Sequence, residues 1–377
     1  MANLIYTLMN KDMPLCDFEI VGEGELEVCN MLKQHNPRPF WAQDVDFWLG
    51  ARSAAKHRAH VNKILDLCGG KTKRGFIALT HCLSLTDTLW VKSEAENVTW
   101  TKVNLYENKF DEVISKATFN GNGLYGIQMS TTSPELTTDG TYDKCWLSKS
   151  DGIHLIKAGS TSTRKAGLEP YGEVLASQVF EKICKSVTYK LGRYDGRVIS
   201  DCKLFTSEKF GYRPIAPYLK NGIKYGLAEL LPIYAEIGAE DEFRRMVVAD
   251  CITLNSDRHF GNFGFLVDND SYEQISINPC FDFNMAFVPF SEPEFDYNDN
   301  FDDYLSRRGP VIGSDYVAPA KAIMTPAIKA CVEEIRETEL VLECDERFSE
   351  KRLATMNMIK NVQCDRILGI DAKWKWA

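Results

Sequence analysis

Paired cysteines are missing from this chain. Twelve cysteines fall singly from Cys16 to Cys364 and none forms a C-x-x-C pair, so neither a zinc knuckle nor a disulfide framework is expected. Cysteines scattered among apolar neighbours behave as small buried hydrophobes, and a reducing cytoplasm is the expected setting. Long apolar runs are missing too: no window approaches the roughly 18 residues of a membrane span. Residues 1–9 lack the basic start of an export signal and are broken off by Asn10-Lys11-Asp12, so neither export nor membrane insertion is expected. Basic charge is in short supply, with 44 Lys and Arg against 53 Asp and Glu and a net charge of −9. That balance counts against direct nucleic-acid binding, which needs a concentrated basic face. Lys56-His57-Arg58 and Lys71-Thr72-Lys73-Arg74 read as solvated surface. Of six histidines, only His57 and His60 share a helix face, and without a third ligand nearby they mark no metal site.

What is present suits a multi-unit globular chain. At 377 residues, 44% hydrophobic and 26% charged, it can bury two or three cores. The pattern in residues 1–120 is mixed, with strands expected at 4–9 and 17–21 and a helix at 44–67 placing Phe47, Leu49 and Ile64 inward. This stretch carries no chemistry and reads as an N-terminal accessory region packed by Trp90, Trp100 and Tyr106. Residues 130–140 form a hydroxyl-rich loop expected to be mobile. Strands at 142–147 and 152–158 then flank a hairpin turn. A helix at 173–186, with Leu175, Val179 and Ile183 on its apolar face, and strands at 188–191 and 197–204 complete a small β-rich lobe spanning 121–205. Phe205-Thr206-Ser207 would be the passage to a larger, mainly helical lobe, 206–377. There, helices are expected at 242–254, 327–342 and 350–368, and strands at 263–267 and 274–277.

One segment concentrates chemistry. Asn255-Ser256-Asp257-Arg258-His259-Phe260-Gly261-Asn262 is followed, after a short hairpin, by Pro279-Cys280-Phe281-Asp282-Phe283. Asp257 and Asn262 stand five apart, the separation that lets one face a hydroxyl nucleophile and the other a magnesium ion in a phosphoryl-transfer loop. Asp282 falls where a second metal-binding carboxylate belongs, and Asn262 and Asp282 are hard oxygen donors of the kind magnesium prefers. A lone loop Asp is usually a cap or turn residue; three such groups at this spacing are harder to explain that way. Lys157, closing an apolar strand, is the candidate to reach ATP phosphates, with Glu173 on the next helix as its ion-pair partner. His259 reads equally as a catalytic-loop contact or a buried structural histidine. Gly121-Asn122-Gly123-Leu124-Tyr125-Gly126 matches G-x-G-x-x-G, but a lone match is weak. The stretch 133–140, ending in Gly140, is the preferred phosphate loop. Ser130, Thr131, Thr132, Ser133, Thr137 and Thr138 are candidate autophosphorylation sites.

On Asn255-x-Asp257-Arg258-His259-x-x-Asn262, the later Phe281-Asp282, the loop and strand at 133–146, Lys157 and Glu173, the C-terminal two thirds resembles the HipA-like bacterial Ser/Thr protein kinases, distantly similar to phosphoinositide kinases. The resemblance implies an α+β, two-lobed protein-kinase-like fold. It assigns Asp257 as catalytic base, with His259 beside it, Asn262 and Asp282 as magnesium ligands, and Lys157, Glu173, Gly140 and Phe205 as the ATP site. It also implies a protein substrate with a Ser or Thr acceptor and, as in toxin–antitoxin pairs, an antitoxin-like protein partner. Asp282 is followed by Phe283-Asn284, without the glycine of the eukaryotic Asp-Phe-Gly, and residues 1–120 do not match the family's usual N-terminal region. A lipid or small-molecule kinase and a nucleotide-binding pseudokinase are the alternative readings.

Overall fold

The computed structural model describes residues 4–52, 58–121, 133–161, 166–287, 301–307 and 309–374. The chain gathers into two compact units, one comprising Met1–Lys157, Thr206–Tyr212 and Val267–Glu273, the other Ala158–Phe205, Arg213–Leu266 and Gln274–Ala377.

In the first unit, alternating apolar residues build an antiparallel sheet of β1 (Ile5–Asn10), β2 (Met13–Val21), β3 (Val28–Gln34) and β4 (Leu89–Ser93), in the order β3-β2-β1-β4. The register sets Leu8 opposite both Cys16 and Val91. One face of this sheet is buried with helices α1 (Val45–Arg52), α2 (Ala59–Leu67) and α3 (Lys73–Thr80), in a core that includes Leu8, Phe18, Trp48, Ile64, Phe76 and Val91. Thr72 caps α3 by accepting the Gly75 N–H at 3.0 Å. Gly75 itself is required, because a Cβ there would lie 1.9 Å from the Gly69 carbonyl oxygen. The short α4 (Trp100–Val103) and α5 (Glu112–Asn120) follow, α5 opening on the Asp111 cap. The unit ends in the hairpin β5 (Lys144–Lys149) and β6 (Gly152–Ala158).

Two sequence expectations change here. The helix expected at 44–67 is α1 and α2, separated at Arg58, whose backbone is extended (φ −100°, ψ 100°). The reason is tertiary: Arg58 is buried and its guanidinium binds the carbonyls of Glu135 (3.0 Å) and Lys144 (2.6 Å). It is therefore not the solvated residue expected either. Within α1 the inward residue next to Leu49 is Trp48, while Phe47 is 72% exposed.

The second unit is largely helical. Its elements are α6 (Glu169–Ile183), the antiparallel pair β7 (Tyr189–Tyr194) and β8 (Arg197–Lys203), α7 (Leu227–Ala235), α8 (Glu240–Thr253), β11 (Gln274–Ile277), α9 (Phe301–Ser306), α10 (Ala318–Ala322), α11 (Pro326–Glu337) and α12 (Glu350–Leu368). Strands β9 (Phe210–Pro214) and β10 (Gly264–Asp268) run through points where the chain passes from one unit to the other. Helix α8 packs on α6, α7, α10 and α12, and α11 packs on α6 and α12. The Ser349 cap and left-handed Gly369 bound α12, as local signals predict. Helix α11 stops five residues before the expected 342, because the buried Lys360 ammonium binds the carbonyls of Ile335 (2.7 Å) and Thr338. A cation there satisfies carbonyls that a helix end leaves open.

Candidate active site

Helix α8 buries Phe243, Met246, Val247 and Cys251 and ends at Leu254, which takes a left-handed backbone (φ 52°). That reversal turns the chain off a rigid helix into the loop 255–262. Asn255 returns to α8: its N–H reaches the Asp250 carbonyl at 2.9 Å and its side-chain amide donates to Asp250 Oδ1 at 2.7 Å. Asn255 Oδ1 then accepts the Asp257 N–H at 3.1 Å. Asn262 donates through Nδ2 to the Asp257 carbonyl at 3.1 Å, so the two residues five apart are tied across the loop, and the amide nitrogen of Asn262 is committed to protein.

Arg258 organises the loop from below. It is 1% exposed and grips Asp250 through Nε at 3.0 Å and Nη2 at 3.1 Å. Its Nη1 donates to the carbonyls of Asn262 (3.2 Å) and Phe281 (2.7 Å). The guanidinium also lies 5.5 Å from the rings of both Phe180 and Phe283. One cation therefore joins the loop holding Asp257 to the segment holding Asp282. Charge-assisted bonds of this kind are stronger than neutral ones.

Burial raises the Asp257 carboxyl above the ordinary aspartate value; His259 and Arg258 pull it down, while the negative charge of Asp282 adds to the rise. Asp257 and Asp282 thus share one electrostatic environment. His259 is exposed, and its Nδ1 accepts the Gly261 N–H at 3.0 Å. The alternative of a buried structural histidine is overturned, since the ring folds back on its own turn and stays in solvent.

Glu173, expected off the apolar face of α6, is buried, because both sides of that helix are covered. Its Oε1 accepts the Phe283 N–H at 3.2 Å and its Oε2 accepts from Ser200. Phe205 packs on Phe281, ring centroids 5.4 Å apart. Asp257, Asn262, Asp282, Glu173, His259 and Phe205 all belong to the second unit, whereas Lys157 and Gly140 belong to the first. Lys157 closes β6 opposite Lys144 and is 5% exposed, so the surface-lysine alternative fails. Gly140 is left-handed (φ 104°), and a Cβ there would come within 2.0 Å of Lys144 Nζ.

The loop before Gly140 differs from expectation. Ser130, Thr131, Thr132 and residues 122–126 of the glycine motif lie outside the described residues; Gly121 is the left-handed cap of α5. Residues Pro134–Thr137 form a 3₁₀ turn with Ser133, Pro134, Glu135 and Leu136 buried. Thr137 donates its hydroxyl to Leu83 O at 2.7 Å, and Thr138 donates to Pro134 O at 2.8 Å while accepting from Trp146 Nε1. This half of the stretch is packed rather than loose, because Glu135 draws it inward onto the Trp146 N–H at 2.7 Å.

The residues suit a hard divalent cation. Two carboxylates that repel each other, beside an amide whose nitrogen is already used, form the oxygen set such an ion neutralises. Asn284, two residues after Asp282, is buried, and its Oδ1 has no hydrogen-bond partner among the described residues. Sequence reading passed over Asp250 and Tyr189, and quoted Asn255 in the motif without a role. Asn255 and Asp250 sit within eight residues of Arg258 and carry a local polar signal; Tyr189 carries none.

The arrangement is that of a mixed α/β chain with antiparallel sheets, a helical body and a polar loop after a buried helix. No family model and no curated protein matches the sequence. Among solved structures, the chain is similar to HipA of Shewanella oneidensis MR-1, determined as a toxin–antitoxin complex with HipB and operator DNA, at a TM-score of 0.58 and 10% identity over 97% of this chain and 98% of that one. It is also similar to the Helicobacter pylori proinflammatory kinase CtkA, at a TM-score of 0.47 and 18% identity over 62% of this chain and 90% of that one. The likeness to HipA is one of fold and extends over nearly the whole chain.

Proposed function

We propose that the chain is an ATP- and Mg-dependent protein Ser/Thr kinase of the HipA-like type. The observation that carries this reading is the tie made by Arg258 between the Asp257–Asn262 loop and the Asp282 segment, joined to the mutual electrostatic influence of Asp257 and Asp282. The HipA-like fold supports it.

In this reading Asp257 accepts the proton of the acceptor hydroxyl and aligns its oxygen with the transferred phosphoryl group. Burial raises its carboxyl above the ordinary aspartate value, which makes its carboxylate a stronger base than an ordinary one. Asn262, through Oδ1, and Asp282 hold magnesium, which when bound neutralises phosphate oxygens. Lys157 binds the phosphates, Glu173 supports the nucleotide side of the site, Gly140 lets the backbone approach the phosphates, and Phe205 borders the base. His259 limits the rise at Asp257 through its charge when protonated. The proposed division is 1–120 accessory, 121–205 small lobe and 206–377 large lobe. Autophosphorylation, where it occurs, is assigned to Ser130, Thr131 or Thr132, since the Thr137 and Thr138 hydroxyls are engaged.

An antitoxin-like protein partner is part of the proposal, supported by the partner present with HipA. A cytoplasmic setting is supported by twelve free thiols. Incubation with γ-labelled ATP and Mg tests the central claim. Transfer to protein, abolished in Asp257→Asn, is expected. Transfer only to lipid, or nucleotide binding without transfer in the wild type, would replace it by the lipid-kinase or pseudokinase reading.

A further inference from the structure

Asp282 has a left-handed backbone, φ 61°. An aspartate tolerates this region better than most residues but does not prefer it, so the surroundings must impose it. Three successive residues are pegged there. The Phe281 carbonyl accepts from Arg258 Nη1 at 2.7 Å, the Asp282 N–H donates to the Tyr189 phenol oxygen at 3.1 Å, and the Phe283 N–H donates to Glu173 Oε1 at 3.2 Å.

We propose that Tyr189 is a positioning residue for the metal-binding aspartate: by accepting the Asp282 N–H, its phenol oxygen holds the left-handed turn from which the Asp282 carboxylate is presented to the divalent cation. This rests on the kinase reading above. Tyr189 is well placed to act as a fixed peg. It opens β7, pairs with Cys202 of β8, and is buried. Its ring meets Phe283 edge-on at 5.6 Å, and Phe283 stacks on Phe180 of α6 at 4.2 Å. Burial, with the charges of Cys202, Glu173 and Asp282 adding to it, holds the phenol well above its usual range. Groups one step behind a metal ligand orient that ligand, and their loss commonly costs 10- to 100-fold in metal affinity.

The test is a Mg²⁺ titration of fluorescent-ATP binding to the full chain. Tyr189→Phe keeps the ring and removes the acceptor. The Mg²⁺ concentration for half-maximal binding is expected to rise about tenfold, with metal-free nucleotide affinity unchanged. A Tyr189→Phe protein that titrates like the wild type would overturn the inference and leave the kinase reading intact. Wild-type binding that does not depend on Mg²⁺ would remove the kinase reading and this inference with it. If Tyr189→Phe does not fold, hydrogen exchange on the wild type decides: strong protection of the Asp282 amide is expected, and exchange at the rate of an exposed amide overturns the proposal.

Discussion

Each of the two units contains a buried arginine that ties distant segments together, and the two arginines do different things. In the first unit Arg58 binds the carbonyls of Glu135 and Lys144, and its Nη2 lies 3.7 Å from the Glu135 carboxylate. In the second, Arg258 holds Asp250 at 3.0 Å and the carbonyls of Asn262 and Phe281. The device is the same: a guanidinium with several fixed donors satisfies backbone groups that burial has cut off from water. The difference lies in whose carbonyls they are. Arg58 organises a turn and the start of β5, so its effect is on folding. Arg258 organises the residues on either side of a carboxylate pair, so under the proposed kinase reading its effect extends to chemistry.

The quality of the ion pairs differs as well. Asp250 receives three contacts from Arg258 and one from Asn255. Glu135 receives a more distant guanidinium at 3.7 Å; burial outweighs the arginine's attraction at both carboxyls, raising that of Asp250 and pushing that of Glu135 up to about 7. A loosely matched buried pair is a weak stabiliser, whereas a well-matched one is costly to break.

The largest expected effect sharpens this comparison at the chemistry. Asp257→Asn should lower phosphoryl transfer by about 10²- to 10⁴-fold, measured with labelled ATP, while leaving the urea midpoint near that of the wild type. Next, Arg258→Met should destabilise by about 3–5 kcal/mol, because the buried Asp250 carboxylate loses its partner, and Arg58→Met by less, because the Glu135 carboxyl, pushed up to about 7, takes up a proton instead. Urea titration checks this. If Arg58→Met costs transfer as well as stability, at concentrations where it is folded, the division of roles between the two arginines fails.

A smaller effect concerns pH. The Glu135 carboxyl is raised from 4.5 to about 7 in the folded protein, so the folded state binds the extra proton between those values. Stability should be greatest below pH 4.5 with respect to this group and fall as pH rises to about 7, by up to about 3 kcal/mol. Glu135→Gln should remove that slope; an unchanged pH profile of melting would show that the pair is ionised throughout. Smallest is Lys182→Ala, which breaks the exposed pair with Glu334. It should change stability by less than about 1 kcal/mol.

Much of the site could be read along the chain. Asp257 and Asn262 are joined by one loop whose geometry is local, and Asp282 follows after a short return, so spacing alone proposes that they meet. The same holds for α12, bounded by Ser349 and Gly369, and for β6, whose limits match the expected 152–158. Elsewhere local pattern misled. Periodicity joined α1 to α2, since nothing nearby reveals that the Arg58 guanidinium is needed 77 and 86 residues further on. Composition made 133–138 look like a loose hydroxyl-rich loop, since the burial of Glu135 against Trp146 is not a property of the loop. Tyr189 reaches the Asp282 N–H across 93 residues and left no mark in any motif.

By itself, then, the order of residues determined that Asp257 and Asn262 share one loop and that Asp282 follows a short return, because capping, period and loop spacing act over a few residues. Tertiary structure alone decided what holds them: Arg258 between the Asn262 and Phe281 carbonyls, Glu173 turned to the Phe283 N–H, and Tyr189 beneath Asp282. A buried backbone donor or acceptor takes whichever partner packing brings to it, and that partner is set by the fold and not by nearness along the chain.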